Sequence, residues 1–251
     1  MEFRAKGDHF SGISTSYAAF RPRYPRALFE FLASLPRKRV RAWDCGAGSG
    51  QASADLAEWF DEVIATDVSG QQIARAPGHS RVTWKVEPAE STTIESATID
   101  LVGVAQALHW FDHERFYAEV RRVAAPGAAI AAWSYGGVRM QGEAGVLIRR
   151  FATETVGTFW PPERRYVDEG YASIPFPFER VAAPVLRLEE EWTRAQLVGY
   201  VRTWSSTARF ATANGIDPVL ALDEELRCVW PDESVRRVEW PLTILAGRIA
   251  G

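Results

Sequence analysis

Lysine is nearly missing from this chain: among 29 basic residues it stands only at positions 6, 38 and 85. With 32 acidic residues the net charge is -3, and the sequence pI is near 5.9. That balance leaves no basic stripe for a phosphate backbone and no polybasic patch for an anionic bilayer, so neither nucleic acid nor membrane is an expected partner. The positive charge sits on arginine, which grips carboxylates in bidentate fashion. Cysteine is equally scarce. Cys45 and Cys228 lie far apart without metal-ligand spacing, which fits a reducing cytoplasm better than a disulfide scaffold. The four histidines, His9, His79, His109 and His113, add no metal geometry, so no metal is expected. Long apolar runs are absent as well: none approaches the ~20 residues of a membrane helix, and the polar, charged first dozen residues do not read as a secretory leader. The expectation is a cytoplasmic protein, monomeric or homodimeric.

What is present is a chain of 251 residues, 47% of them hydrophobic, enough to bury one full core as a single domain. Short apolar runs at 40–43, 62–66, 81–86, 100–105 and 128–133 predict five strands. Between them, 51–59, 69–76 and 116–123 predict helices; in the last, Phe116, Tyr117, Val120 and Val123 recur at helical steps. Strand alternating with helix implies a parallel sheet covered on both faces. Pro88 and the Ser/Thr-rich run after it make the stretch from 86 to 100 a loop with at most one helical turn.

Beyond Tyr135 the pattern changes. Gly136 and Gly137 form a joint, helices are expected over 143–156, 193–211 and 218–229, and a sixth strand over 181–190. An aromatic, proline-rich passage, 159–178, has the character of a pocket-lining loop. The run 235–249 reads as a final edge strand, with Pro241 at a bend or edge position.

The densest signal is the apolar run ending in Asp44-Cys45-Gly46-Ala47-Gly48-Ser49-Gly50, followed one strand later by Asp67. Glycines where a strand meets a helix let a ligand lie directly on the main chain, and an acid one strand on can take both ribose hydroxyls. Gly50 follows Gly48 by two residues where the dinucleotide fingerprint requires three, and Gln51 occupies the dinucleotide position. Asp44 also speaks against a pyrophosphate, since a carboxylate repels one but accepts from an ammonium. Ala89 and Glu90, after Pro88, suit an adenine edge held by main-chain groups and one side chain.

With these residues in order, the chain resembles the class I S-adenosylmethionine (SAM) dependent methyltransferases over most of 40–135. The resemblance implies a Rossmann-like α/β sheet, mostly parallel with an antiparallel last strand and a helical insertion before it. It places Gly46, Ala47, Gly48 and Gly50 against the methionine part of SAM, Asp67 and Val68 at the ribose, and Gln72, Ala89 and Glu90 near the adenine. Ala105 and Gln106 complete the cofactor set. Gln72 departs from the family's frequent Met. The opening stretch Ser16 to Pro25, with Gln106-Ala107-Leu108-His109-Trp110-Phe111-Asp112 and Thr203-Trp204-Ser205, is similar to the trans-aconitate methyltransferase-like branch, which acts on small molecules, carboxylates among them. In that frame 1–38 is an N-terminal lid bringing Tyr17 and Arg21 over the cofactor, 39–135 the SAM-binding core, and 136–251 the C-terminal part, with a substrate cap over about 158–230.

Methyl transfer from a sulfonium is an in-line displacement that depends chiefly on holding the acceptor in a dry pocket. A carboxylate acceptor needs no base, only arginines to orient it; Arg164, Arg165 and Arg187 are the candidates, framed by Trp110, Trp160, Tyr166 and Trp204. A hydroxyl or amine acceptor gains from a base, for which His109 is the best placed histidine; its alternative role is to anchor its loop. A SAM-binding protein without catalysis and an NAD-dependent oxidoreductase stand as alternative readings.

Overall fold

The computed structural model describes residues 21–231 and 234–250, so Tyr17 and the first part of the expected lid lie outside the described residues. Five parallel strands, β1 (Arg41–Cys45), β2 (Glu62–Asp67), β3 (Val82–Val86), β4 (Ile99–Ala105) and β5 (Ala124–Tyr135), form the core of the sheet. The chain then adds β6 (Glu179–Val181), β7 (Arg187–Trp192) and β8 (Arg236–Arg248). The sheet runs β3-β2-β1-β4-β5-β8-β6, with β8 antiparallel to its partners and β7 paired to it as well. Strand order reverses between β1 and β4, the place where open α/β sheets leave a crevice at the carboxyl ends of their strands.

Alternation along β5 shows why the sheet is covered on both sides. Ala129, Ala131, Trp133 and Tyr135 enter one buried cluster, and Ala128, Ile130 and Ala132 enter the other. The first cluster is covered by α1 (Arg26–Ser34), α2 (Ser53–Leu56) and the C-terminal helices, the second by α4 (His113–Val123). The short α3 (Gly70–Ile73) follows β2, its entrance capped by Ser69, which accepts from the Gln72 amide. Asp112 caps α4 by accepting from the Arg115 amide at 3.3 Å, while Arg121 and Arg122 close its last turn against the helix dipole.

The remaining helices, α5 (Gly142–Arg150), α6 (Arg164–Asp168), α7 (Arg194–Arg202), α8 (Ser205–Asn214) and α9 (Val219–Val229), all lie between β5 and β8. Three expectations change here. The helix expected over 193–211 is two helices: Thr203 turns its hydroxyl back to the Tyr200 carbonyl at 2.6 Å, and Trp204 takes an extended backbone. The sixth strand expected over 181–190 is two short ones, β6 and β7, with Pro184 in the link. The last strand is not an edge. β8 has neighbours on both sides, and Pro241, which has no N–H to give, stands where β8 passes from β7 to β5 as partner. Among the described residues no helix is long and apolar enough to cross a membrane, and no group of three or more metal-ligating side chains stands together.

Candidate active site

The carboxyl ends of β1, β2, β4 and β5 open into one cavity of about 1290 Å³, walled on its far side by α5, α6 and the α7–α8 corner. Single-ligand pockets run roughly 300–1,000 Å³, so this one has room for two ligands side by side.

At one end stands the glycine loop. The amides of Gly46 and Ala47 both donate to the Thr66 carbonyl at 2.9 Å, which ties the loop to β2. The Gly48 amide donates to Asp67 Oδ2 at 2.9 Å and the Ser69 amide to Oδ1 at 2.8 Å, so Asp67 is oriented by main chain alone. Burial raises the Asp67 pKa and those two amides oppose the rise. Gly48, at φ 56°, has nothing within 4 Å of where a Cβ would stand: a bare stretch of backbone faces the cavity. Gly50 needs its glycine for another reason, because at φ 85° a Cβ would lie 2.2 Å from the Trp84 ring. Gly46, Ala47, Gly48, Asp67 and Val68 wall the cavity, and Gln72, Ala89 and Glu90 continue that wall. Glu90 is held by accepting from the Asp112 amide at 2.9 Å.

Two members of the sequence-derived cofactor set are placed elsewhere. Gly50 packs on Trp84 and is not on the cavity wall. Asp44 is fully buried beneath the loop instead of facing the cavity; its Oδ2 accepts from Ser53 Oγ at 2.5 Å and its Oδ1 has no partner. Burial lifts its pKa to about 7, against the Ser53 hydrogen bond that lowers it and with Asp67 adding to the rise.

Ala105, the last residue of β4, and Gln106 and His109 after it continue the cavity wall. Gln106 has φ 54°, uncommon for a residue with a side chain, and is fixed by its amide donating to the Trp133 carbonyl at 2.8 Å and its Nε2 to the Tyr135 carbonyl at 3.3 Å. His109 lies against Trp110, with ring centroids 5.0 Å apart, and its Nδ1 is 3.1 Å from the Tyr171 hydroxyl. Burial, with Arg164 and His113 nearby, lowers its pKa to about 3. A neutral imidazole this hard to protonate is a weak base at any physiological pH.

Trp110, Trp160, Arg164 and Trp204 also wall the cavity, as does Arg21, whose neighbour Pro22 accepts at its carbonyl from Gln51 Nε2 at 2.7 Å beside the glycine loop. Arg164 lies 4.6 Å over the Trp160 ring and its Nε donates to Asp168 at 2.8 Å. Arg21 donates from Nη1 to the Tyr135 hydroxyl at 3.0 Å and from Nη2 to the Thr203 carbonyl at 3.4 Å, joining β5 to the α7–α8 corner. The other arginine candidates fall away. Arg165 is exposed and donates to the Tyr166 hydroxyl at 3.0 Å, so neither it nor Tyr166 reaches the cavity, and Arg187 pairs with Glu189 and Glu239 on the β7–β8 ribbon.

Sequence reasoning missed Gln51, Tyr135, Arg139, Arg149 and Tyr200 on this wall, and Tyr24, which was quoted only as part of a motif. Tyr135 ends β5 at the crevice side, a position open to inference; Arg139, Arg149 and Tyr200 come from loop and helix positions without a spacing signal.

Known proteins resemble this chain in sequence and in fold. A methyltransferase-domain family model matches residues 43–132. A chain assigned as a methyltransferase in Dictyostelium discoideum is 35% identical over 223 residues, covering 87% of this chain and 85% of that one. An uncharacterized methyltransferase of Mycobacterium tuberculosis is 31% identical over 187 residues, covering 73% and 70%. A solved structure from Anaeromyxobacter dehalogenans, assigned as a type II methyltransferase, superposes with a TM-score of 0.86 at 46% identity and covers 92% of this chain and 98% of its own.

Proposed function

The chain belongs to the class I SAM-dependent methyltransferases, and from that premise we propose that it methylates a small molecule through a carboxylate, held at the Arg164 end of the cavity. The nicotinamide alternative falls with the family assignment.

The residues present fit SAM. Gly48 offers main chain that no Cβ obstructs, Asp67 keeps its carboxylate on the cavity wall with lone pairs beyond those used by two amides, and Val68, 45% exposed, is an apolar surface left for a ligand to cover. When bound, SAM supplies a methyl group on a sulfonium, ready for displacement by a nucleophile.

The observation that carries the acceptor reading is the placing of Arg164 beside His109. A guanidinium held over Trp160, its Nε paired with the Asp168 carboxylate, brings N–H donors to the acceptor end, and its charge, added to burial, opposes protonation of the one histidine on the wall. An acceptor that arrives already ionised suits this pair; one that must lose a proton does not. A small acceptor suits the enclosure by α5, α6 and the α7–α8 corner, and a net charge of -3 offers nothing to a polyanion. The protein's part is then to orient the carboxylate through Arg164, shield it from water with Trp160 and Trp204, and present it to the cofactor end.

Formation of S-adenosylhomocysteine is the assay, run on matched sets of carboxylic acids, phenols and amines. Turnover of an acid to its methyl ester, with Arg164→Ala raising KM for that acid about tenfold or more, is the expected result. Faster turnover of a phenol or amine, with a rate that climbs with pH, overturns it.

A further inference from the structure

Tyr171 stands outside every motif of the sequence and does not touch the cavity, yet it is the only side chain hydrogen-bonded to His109 among the described residues. It lies just after α6, where Gly170 at φ 61° and Tyr171 at φ 60° form two successive left-handed residues, closed by the Tyr171 amide donating to the Tyr166 carbonyl at 2.7 Å. Glycine meets such a demand without strain; a bulky ring does not. What the tyrosine adds is a fully buried phenol delivered to His109 Nδ1 at 3.1 Å.

We infer that Tyr171 is a positioning residue: its O–H donates to His109 Nδ1, which fixes the imidazole with its hydrogen on Nε2 and turns an N–H, not a lone pair, toward the acceptor.

The direction of donation follows from where buried protons can go. A phenol with no access to water needs an acceptor for its hydrogen. The other polar group acting on the Tyr171 oxygen is the buried Ser134 hydroxyl, which has no partner inside hydrogen-bond geometry. If Nδ1–H donated to the phenol, the phenol's own hydrogen would have no acceptor within hydrogen-bond geometry among the described residues. Run the other way, the phenol donates to Nδ1, the one acceptor within hydrogen-bond geometry of its oxygen among the described residues, and the Nε2–H is left for the cavity. Among the described residues Nε2 has no hydrogen-bond partner and is not a buried atom, and His109 stands on the cavity wall. Arg164 nearby opposes a second proton on the ring. His109 thus becomes a neutral donor beside a guanidinium, a pair matched to the two oxygens of a carboxylate; that last step rests on the acceptor reading above, whereas the tautomer does not.

The test is nitrogen-15 NMR of the imidazoles in the full chain saturated with S-adenosylhomocysteine at pH 7, with His109 assigned by its loss in His109→Gln. The expected pattern is an Nε2-protonated ring with Nδ1 accepting, a signature that Tyr171→Phe shifts while leaving cofactor affinity unchanged. In turnover, Tyr171→Phe is expected to raise acceptor KM about threefold or more, and His109→Gln, which keeps an amide N–H near the Nε2 position, to retain more activity than His109→Asn. An Nδ1-protonated ring in the parent protein, or a Tyr171→Phe variant identical to it in both spectrum and KM, overturns the inference. Should the acceptor prove to be a phenol or amine while the Nε2-protonated pattern stands, the carboxylate reading fails and the Tyr171 assignment survives.

Discussion

The Gly48 amide and the Asp67 carboxylate are joined at 2.9 Å, so the glycine loop after β1 and the acid at the end of β2 form one unit. Removing the acid therefore removes the anchor of the loop together with the carboxylate proposed to take the ribose hydroxyls. Asp67→Ala is expected to weaken SAM binding by ~1.5–3 kcal/mol, ten- to a hundredfold, measured by titration calorimetry. Asp67→Asn, which keeps an acceptor for one amide, falls between the two.

Gly48 and Gly50 separate a cofactor role from a folding role. Gly50→Ala forces a methyl group into Trp84 at a left-handed backbone position, and a loss of about 3 kcal/mol in a urea titration is expected. Gly48→Ala meets no neighbour and carries only the backbone strain of about 1–2 kcal/mol, but it places a methyl where a ligand is to lie. The expected outcome is a folded protein with cofactor affinity reduced at least about tenfold.

This division was not legible in the sequence, where three glycines at alternate positions look equivalent. The spacing of Gly46, Gly48 and Asp67 pointed to residues that stand on the cavity wall because the chain carries them there through local turns, which short-range sequence encodes. Trp84 lies on another strand, and its pressure on Gly50 exists only once the sheet is assembled. The same holds for Asp44, whose position two residues before the first glycine read as facing a ligand, whereas the strand pleat turns it inward to Ser53. The acceptor end was the least legible: Arg164 and Arg165 are neighbours in sequence, and only the helix turn decides that one is on the cavity wall and the other in solvent.

His109 links stability to pH. Its folded pKa, lowered by burial to about 3, lies below the ~6.5 of the unfolded chain. The unfolded state therefore binds the extra proton first, and stability present above pH 6.5 is lost as the pH falls toward 3. Between pH 7.5 and 5.5 the parent protein is expected to lose about 1.4 kcal/mol more than His109→Gln. Parallel urea titrations at the two pH values measure the difference; equal losses contradict a buried neutral histidine.

Asp44 has the opposite sign. Its folded pKa of about 7 stands above the unfolded ~3.9, so its contribution is favourable at low pH and is lost as pH rises between those values. Asp44→Asn removes the dependence, and its stability relative to the parent is expected to improve by about 2 kcal/mol from pH 5 to pH 7. Denaturant midpoints at both pH values check this, and a constant difference between the two proteins rules it out.

Pro241 marks the point where one continuous strand changes partners, with 236–241 serving β7 and 242–248 serving β5. The wall made by α5, α6 and the α7–α8 corner is therefore spliced into the same covalent rail as the sheet that carries the glycine loop. A domain hung on two flexible strands can swing as a body; a wall sharing a thirteen-residue strand with the sheet cannot do so without shearing its hydrogen bonds. Amide exchange in β8 is expected to be slow and insensitive to ligand, with ligand-dependent protection concentrated in cavity-wall positions not paired to that rail, among them Arg21, bound to Tyr135 and Thr203, and the turns between α5 and α6.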